Sequence, residues 1–158
     1  MIEYISLPEE RLKLLKRDTK WREQLKNFCN TKVAIQDSLV IEDDDPIIAT
    51  RVKLVFRAFG RGFDFDSALS LLDEDFNLDI IEIDAYVKTR NRIIDLKARV
   101  IGTEGKIKNI IEKKTETKIA VYGKTVGVIG KFDATHRARN VIEMILEGRK
   151  FGTVLRFL

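Results

Sequence analysis

Apolar and polar positions along the second half of this chain repeat with two different periods. Leu78-Asp79-Ile80-Ile81-Glu82-Ile83 is rich in β-branched residues and bounded by polar ones, which predicts a strand. From Arg92 to Ile101 apolar residues fall at 93, 94, 96, 98, 100 and 101, roughly a helical stripe. Gly102-Thr103-Glu104-Gly105 interrupts it, and Lys106 to Lys114 resumes as a helix with Ile107, Ile110 and Ile111 on one face. Lys118 to Tyr122 and Thr125 to Ile129 predict two strands joined by a Gly123-Lys124 turn, with Gly130 closing the second. Asp133 is the expected cap of a long helix through Leu146, with Val141, Ile142, Ile145 and Leu146 as its apolar face and Gly148 as its stop. The order is β-α-α-β-β-α.

The first half repeats this pattern. At an offset of 86 residues Arg11 to Leu15 falls on Lys97 to Ile101, Lys20 on Lys106, Leu25 on Ile111, and Thr31-Lys32-Val33 on Thr117-Lys118-Ile119. At an offset of 88 Val40-Ile41 meets Val128-Ile129, Asp45 meets Asp133, and Gly60-Arg61 meets Gly148-Arg149. The expected fold is therefore α+β, with two β-α-α-β-β-α units. Each is a three-stranded antiparallel sheet with its helices on one face. The units are expected at residues 1–62 and 78–158, the second including a C-terminal extension. Asp64 to Leu72 has a helix start and an apolar stripe, and predicts a short linker helix within residues 63–77.

Composition narrows the class. Hydrophobic residues are 44% and charged residues 34%, enough apolar material for a buried core and too much for a disordered chain. No apolar run approaches the roughly 20 residues of a membrane helix. The opening MIEYISLPEE lacks the basic-then-apolar order of a secretory leader, so no membrane partner and a cytoplasmic setting are expected. Cys29, the single cysteine, reads as a small buried apolar side chain. The net charge of +4 is unevenly spread: residues 86–158 hold 17 Lys/Arg against 7 Asp/Glu, while residues 47–85 hold 4 against 8. Such asymmetry is what a polyanion-binding face requires, although a solvated lysine-rich surface would look the same.

The loop between the two central helices is the main chemical candidate. Paired glycines let backbone pass close to a phosphate, and the following helix offers unpaired N–H groups and its positive dipole end. Lys106 and Lys108 add formal charge. Other candidates read blandly. His136 lies beside Arg137 and Arg139 and lacks a second metal ligand, so no metal and no cofactor are expected. Asp43-Asp44-Asp45 reads as a cap for a helix starting at Pro46, and Asp73-Glu74-Asp75 as a solvated turn. Trp21 and Phe28 fall on the second helix of the first unit, Trp21 most simply as packing at a domain interface. No Ser/His/Asp set, acid/base pair or GxxxxGK[ST] loop is present, and no enzyme activity is expected.

VIGTEGKIKNIIE, set in β-α-α-β-β-α, resembles the KH family in its type I topology. GFDFDSALSLLDEDFNLDIIEI, the stretch RVIGTEGKIKNIIEKKTETKIAVYGKTVGVIGKF, and ILEGRKFGTVLRFL resemble the archaeal and eukaryotic Partner-of-Nob, or Dim-two, proteins. The resemblance implies two KH domains and an RNA-binding role in ribosome biogenesis, at the 3′ region of small-subunit rRNA and its processing. It also implies as partners a Nob-type endonuclease and the α subunit of initiation factor two. KH proteins hold about four nucleotides at the GxxG loop. Carried over, the clamp is Gly102, Thr103, Glu104 and Gly105, the basic flanks are Arg99, Lys106, Lys108 and Lys118, and Val100, Ile101, Ile119 and Val121 shape the groove. The first unit reads Lys16-Arg17-Asp18-Thr19 there, with no glycine, so the second unit is expected to carry the RNA contact. The alternative is a protein–protein scaffold or translation-related adaptor with little RNA contact.

Overall fold

Both halves of the chain begin with a short apolar strand, turn through two helices, and finish with a hairpin and a long helix. The computed structural model describes residues 1–158. Its backbone divides into two units, Met1–Phe76 and Asn77–Leu158.

The first unit runs β1 (Ile2–Ile5), α1 (Glu9–Arg17), α2 (Lys20–Lys26), β2 (Lys32–Ile35), β3 (Leu39–Glu42) and α3 (Pro46–Gly60). The sheet order is β1-β3-β2, both pairs antiparallel, with Glu3↔Ile41 and Val33↔Ile41 in register. Asp45 caps α3 by accepting from the Ile47 N–H at 2.9 Å, ahead of Pro46 at the first helical position, where a missing N–H costs nothing. The buried face of α3 carries Val52, Val55 and Phe56. Trp21 lies in this unit's core, 5.4 Å edge-on from Phe56, and its indole N–H donates to the Leu15 carbonyl at 2.9 Å. That corrects the expectation of a domain-interface residue: the donor bond consumes its one polar atom inside the first unit. Phe28 lies beyond the end of α2 and is exposed. The short helix α4 (Phe65–Leu69), expected between the units, packs on α3 within the first.

The second unit runs β4 (Phe76–Glu82), α5 (Arg90–Ile101), α6 (Lys106–Thr115), β5 (Lys118–Tyr122), β6 (Thr125–Lys131), α7 (Phe132–Leu146) and the short α8 (Phe151–Val154). β6 is the central strand, between β4 and β5. One face of α5 (Ile93, Leu96, Val100) meets Ile111 of α6, Ile119 of β5, Val126 and Val128 of β6, and Val141, Ile142 and Ile145 of α7 in a single core. Two expectations fail locally. β6 does not close at Gly130 but continues to Lys131, and Asp133 is not the cap of α7. That helix starts at Phe132, two residues earlier than an Asp133 cap implies, with no side-chain cap, leaving Asp133 in the first turn, where its charge still suits the dipole. Gly148, at φ +97°, ends α7 as predicted, its N–H reaching the Ile145 carbonyl at 3.0 Å.

Candidate nucleic-acid interface

Three of the four residues in the turn between α5 and α6 have left-handed or otherwise positive-φ backbone. Gly102 has φ +76° and ψ 174°, Glu104 φ 56° and ψ 26°, and Gly105 φ +76° and ψ 12°. Glycine is required at 102 for an internal reason. A Cβ there would lie 2.7 Å from Ile107 Cγ1 and 2.9 Å from the Ile107 backbone nitrogen. At 105 a Cβ would meet only Asn109 Nδ2 at 3.9 Å, so the demand is conformational rather than steric. Glu104 occupies the left-handed region without that freedom, a strain of about 1 kcal/mol.

The turn leaves the start of α6 open. Its N-cap is Gly105, which has no side chain, and no side chain caps the helix. A 3-10 turn over Thr103–Gly105 leads into it and takes the Lys106 N–H onto the Thr103 carbonyl, and the start of α6 keeps the positive end of the helix dipole. Thr103, Glu104 and Lys106 are exposed around it, and Lys106 takes part in none of the ion pairs. A pocket of about 370 Å³ lies alongside, lined by Lys106, Asn109, Ile110, Glu112 and Lys113.

The other residues expected at the loop divide into two groups. Ile101 and Val121 are half-buried and Lys118 is exposed, positions that can meet a ligand. Val100 and Ile119 are 0% and 4% exposed and belong to the core. Arg99 reaches away from the loop: its guanidinium donates to the Ile145 carbonyl at 3.3 Å and the Arg149 carbonyl at 2.7 Å, closing the end of α7. Lys108 is 3.4 Å from Glu112, whose second oxygen accepts from the Ile119 backbone N–H at 2.9 Å. Glu112 therefore ties α6 to β5 and offsets the Lys108 charge. Sequence reasoning missed both links: the Lys108–Glu112 pair has the i,i+4 spacing that could have found it, whereas the backbone partners of Arg99 and Glu112 carry no sequence signal.

The basic face of α7 is likewise reduced. Arg139 pairs with both Asp79 and Glu143, and Glu143 also meets the Tyr86 hydroxyl at 3.3 Å. Burial opposes the Arg139 charge, but the two carboxylates outweigh it and hold the guanidinium above its usual range. Burial first, then Glu143, pushes the Tyr86 phenol up. His136 and Arg137 stay exposed. No group of three or more His, Cys, Asp or Glu is disposed to hold a metal ion, and no helix is long and apolar enough to cross a membrane.

Comparison with known proteins follows the second unit. Residues 77–158 match the family KH_PNO1_2nd, a eukaryotic type KH-domain (KH-domain type I). The chain is 37% identical over 114 residues to the KH domain-containing protein MJ0443 of Methanocaldococcus jannaschii, across 72% of this chain and 50% of that one. It thus spans about half the length of that relative. Among solved structures, the chain superposes on Dim2p from Pyrococcus horikoshii with a TM-score of 0.88 and 28% identity, covering 99% of this chain and 97% of that one. A chain of the a/eIF2alpha–aDim2p–rRNA complex from the same organism gives 0.90 and 28%, covering 99% and 91%. APE0754 from Aeropyrum pernix, a protein of unknown function, gives 0.92 and 25%, covering 99% and 87%.

Proposed function

Because the chain belongs to the type I KH family of the PNO1 kind, with its α+β fold of three-stranded sheets and helices, we propose that it binds single-stranded RNA without catalysing a reaction and serves small-ribosomal-subunit assembly. Both units are KH domains, the first at residues 1–62 and degenerate, the second at 78–158 and active. The RNA is the 3′ region of small-subunit rRNA, gripped at Gly102, Thr103, Glu104 and Gly105 and bounded by Ile101, Lys106, Lys118 and Val121. The observation that carries this reading is the uncapped start of α6 behind a glycine-bounded turn, with an unpaired Lys106 beside it. Phosphate oxygens suit that dipole end and that charge.

The partners are the α subunit of initiation factor two and a Nob-type endonuclease, and the setting is the cytoplasm. The first is supported by the similarity to a chain of the a/eIF2alpha–aDim2p–rRNA complex. The second rests on the family resemblance. Titration of a short rRNA 3′-end oligonucleotide against the chain at rising salt tests the core of the proposal. Binding is expected to weaken steeply as phosphate contacts release counterions, with a slope near 0.7 per contact for a single strand. Affinity unchanged between low and moderate salt overturns it.

A further inference from the structure

The first unit carries an open apolar groove that folding does not account for. It has a volume of about 750 Å³ and is lined by Phe28, Leu69, Leu72 and Phe76 together with the carboxylates of Asp66 and Asp73. A second groove of about 350 Å³ adjoins it at Gln24 and Asp66, which line both, and reaches Leu14, Asp18 and Asp64. Phe28 is 66% exposed although its place is fixed: it follows the end of α2, and its N–H donates to the Leu25 carbonyl at 3.0 Å. A large apolar side chain held beside a groove yet left to solvent marks a contact surface.

The walls are preformed. Arg51 donates to the Leu71, Phe76 and Glu74 carbonyls at 3.4, 3.0 and 3.2 Å, which pins the segment after α4. The Gln24 side-chain amide donates to Asp66 and links α2 to α4, while Asp73 accepts from the Asp75 N–H at 2.9 Å. These bonds orient the two carboxylates without neutralising them, since neither belongs to an ion pair. Residues 62–76 hold five Asp/Glu and no Lys/Arg. Lys20, on the smaller groove, is the one cation in either lining.

The chemistry of the occupant follows from this lining. Carboxylates on the rim repel phosphates, which disfavours a nucleic-acid strand. Strand addition is blocked as well: Phe76, at the start of β4, has its N–H on the Asp73 carbonyl at 3.1 Å and its own carbonyl on Arg51. Recognition is left to side chains, and an apolar stripe between charged flanks is what a helix presents to a groove. The acidic rim selects basic flanks.

We propose that this groove docks a basic amphipathic helix of a protein partner. Its apolar stripe seats on Phe28, Leu69 and Leu72, and its Lys or Arg side chains reach Asp66 and Asp73. The site is separate from the glycine turn and does not depend on RNA.

The test uses the full chain and two synthetic helical peptides of about 18 residues, roughly 27 Å at 1.5 Å per residue. Both carry leucines at i, i+3, i+4 and i+7; one has lysines on its flanks and the other glutamates. Fluorescence anisotropy is expected to show the lysine peptide bound at least about tenfold more tightly, with the difference shrinking as salt rises. Phe28→Ser is expected to weaken the lysine peptide about tenfold, as loss of an apolar anchor does. Asp66→Asn/Asp73→Asn keeps both acceptor oxygens but removes two charges, and is expected to weaken it about fivefold. Circular dichroism checks that both variants keep the wild-type fold. No binding of the lysine peptide, equal binding of the two peptides, or unchanged binding in both variants overturns the proposal. Loss of rRNA 3′-end binding in Phe28→Ser overturns it by giving the groove to nucleic acid. A chain that sediments as a dimer and becomes monomeric in Phe28→Ser overturns it by giving the groove to a second copy.

Discussion

The turn between α1 and α2 and the turn between α5 and α6 occupy equivalent places in the two halves of the chain, yet they treat the following helix oppositely. In the first, Asp18 and Thr19 keep negative φ, and the Asp18 carboxylate accepts from the Lys20 backbone N–H at 3.1 Å. The protein's own anion already sits at the start of α2. In the second, the residue at the matching offset is Glu104, whose side chain caps nothing, and Gly105 leaves the start of α6 open. A carboxylate on a short side chain fills the anion position from within; a longer one in left-handed backbone is turned out to solvent. What distinguishes a closed turn from an open one here is therefore the backbone conformation beneath the acid rather than its presence.

The largest expected effect separates the two turns as structures. Gly102→Ala forces a Cβ against the Ile107 backbone nitrogen in positive-φ backbone, and is expected to destabilise the second unit by about 2–4 kcal/mol. Lys16→Ala, its counterpart on the exposed end of α1, is expected to change stability by less than about 0.5 kcal/mol. Urea unfolding measures both, and equal losses would show that the turns are built alike.

The next separates them as binding sites. Gly105→Asp keeps a residue type that tolerates left-handed backbone and has room for its Cβ, but sets a carboxylate at the start of α6. Binding of an rRNA 3′-end oligonucleotide is expected to fall at least about tenfold at low salt, a difference of about 1.4 kcal/mol. Thr19→Asp is expected to change it less than about twofold, within the range of a remote surface change. Comparable losses would assign RNA contact to both halves.

A shared device gives a middle-sized effect. Each half uses an arginine on its first helix to close the end of its last long helix. Arg11 donates to the Phe59 and Phe63 carbonyls at 2.9 and 2.7 Å, as Arg99 does to Ile145 and Arg149. Arg11→Met and Arg99→Met are each expected to cost about 1–2 kcal/mol, from charge-assisted bonds and favourable charge at a helix C-terminus. Thermal melting measures this. If Arg99→Met leaves stability unchanged and reduces RNA binding, Arg99 faces ligand instead.

The smallest effect concerns Glu104. Glu104→Gly is expected to raise stability by about 1 kcal/mol by releasing left-handed strain. Glu104→Lys is expected to tighten RNA binding by about 1 kcal/mol at low salt, shrinking as salt rises. Weaker binding of Glu104→Lys at every salt concentration would instead make Glu104 a reader of a base donor.

Much of the fold was legible because it depends on local spacing. The run Val141, Ile142, Ile145 and Leu146 at helical period, and the β-branched stretches flanking Gly123-Lys124, place the helix α7 and the hairpin β5–β6 without any knowledge of partners. The loop was legible for the same reason: two glycines between two periodic segments leave few backbone choices. Periodicity is blind to which side of an apolar position faces a groove, so Val100 and Ile119 read as groove residues until the core enclosed them.

The sequence alone determined the order of elements, the asymmetry of charge and the turn that opens a helix start, since each follows from neighbours a few residues apart. Only the tertiary structure decided which charges are free. Arg99 is spent on carbonyls 46 and 50 residues away, Arg139 on an aspartate 60 residues away, and Gly102 is a glycine because Ile107 folds back against it. Hydrogen bonds and steric contacts act over a few ångströms in space, whatever the separation along the chain. Lys106 became visible as unpaired only once every nearby carboxylate had been placed.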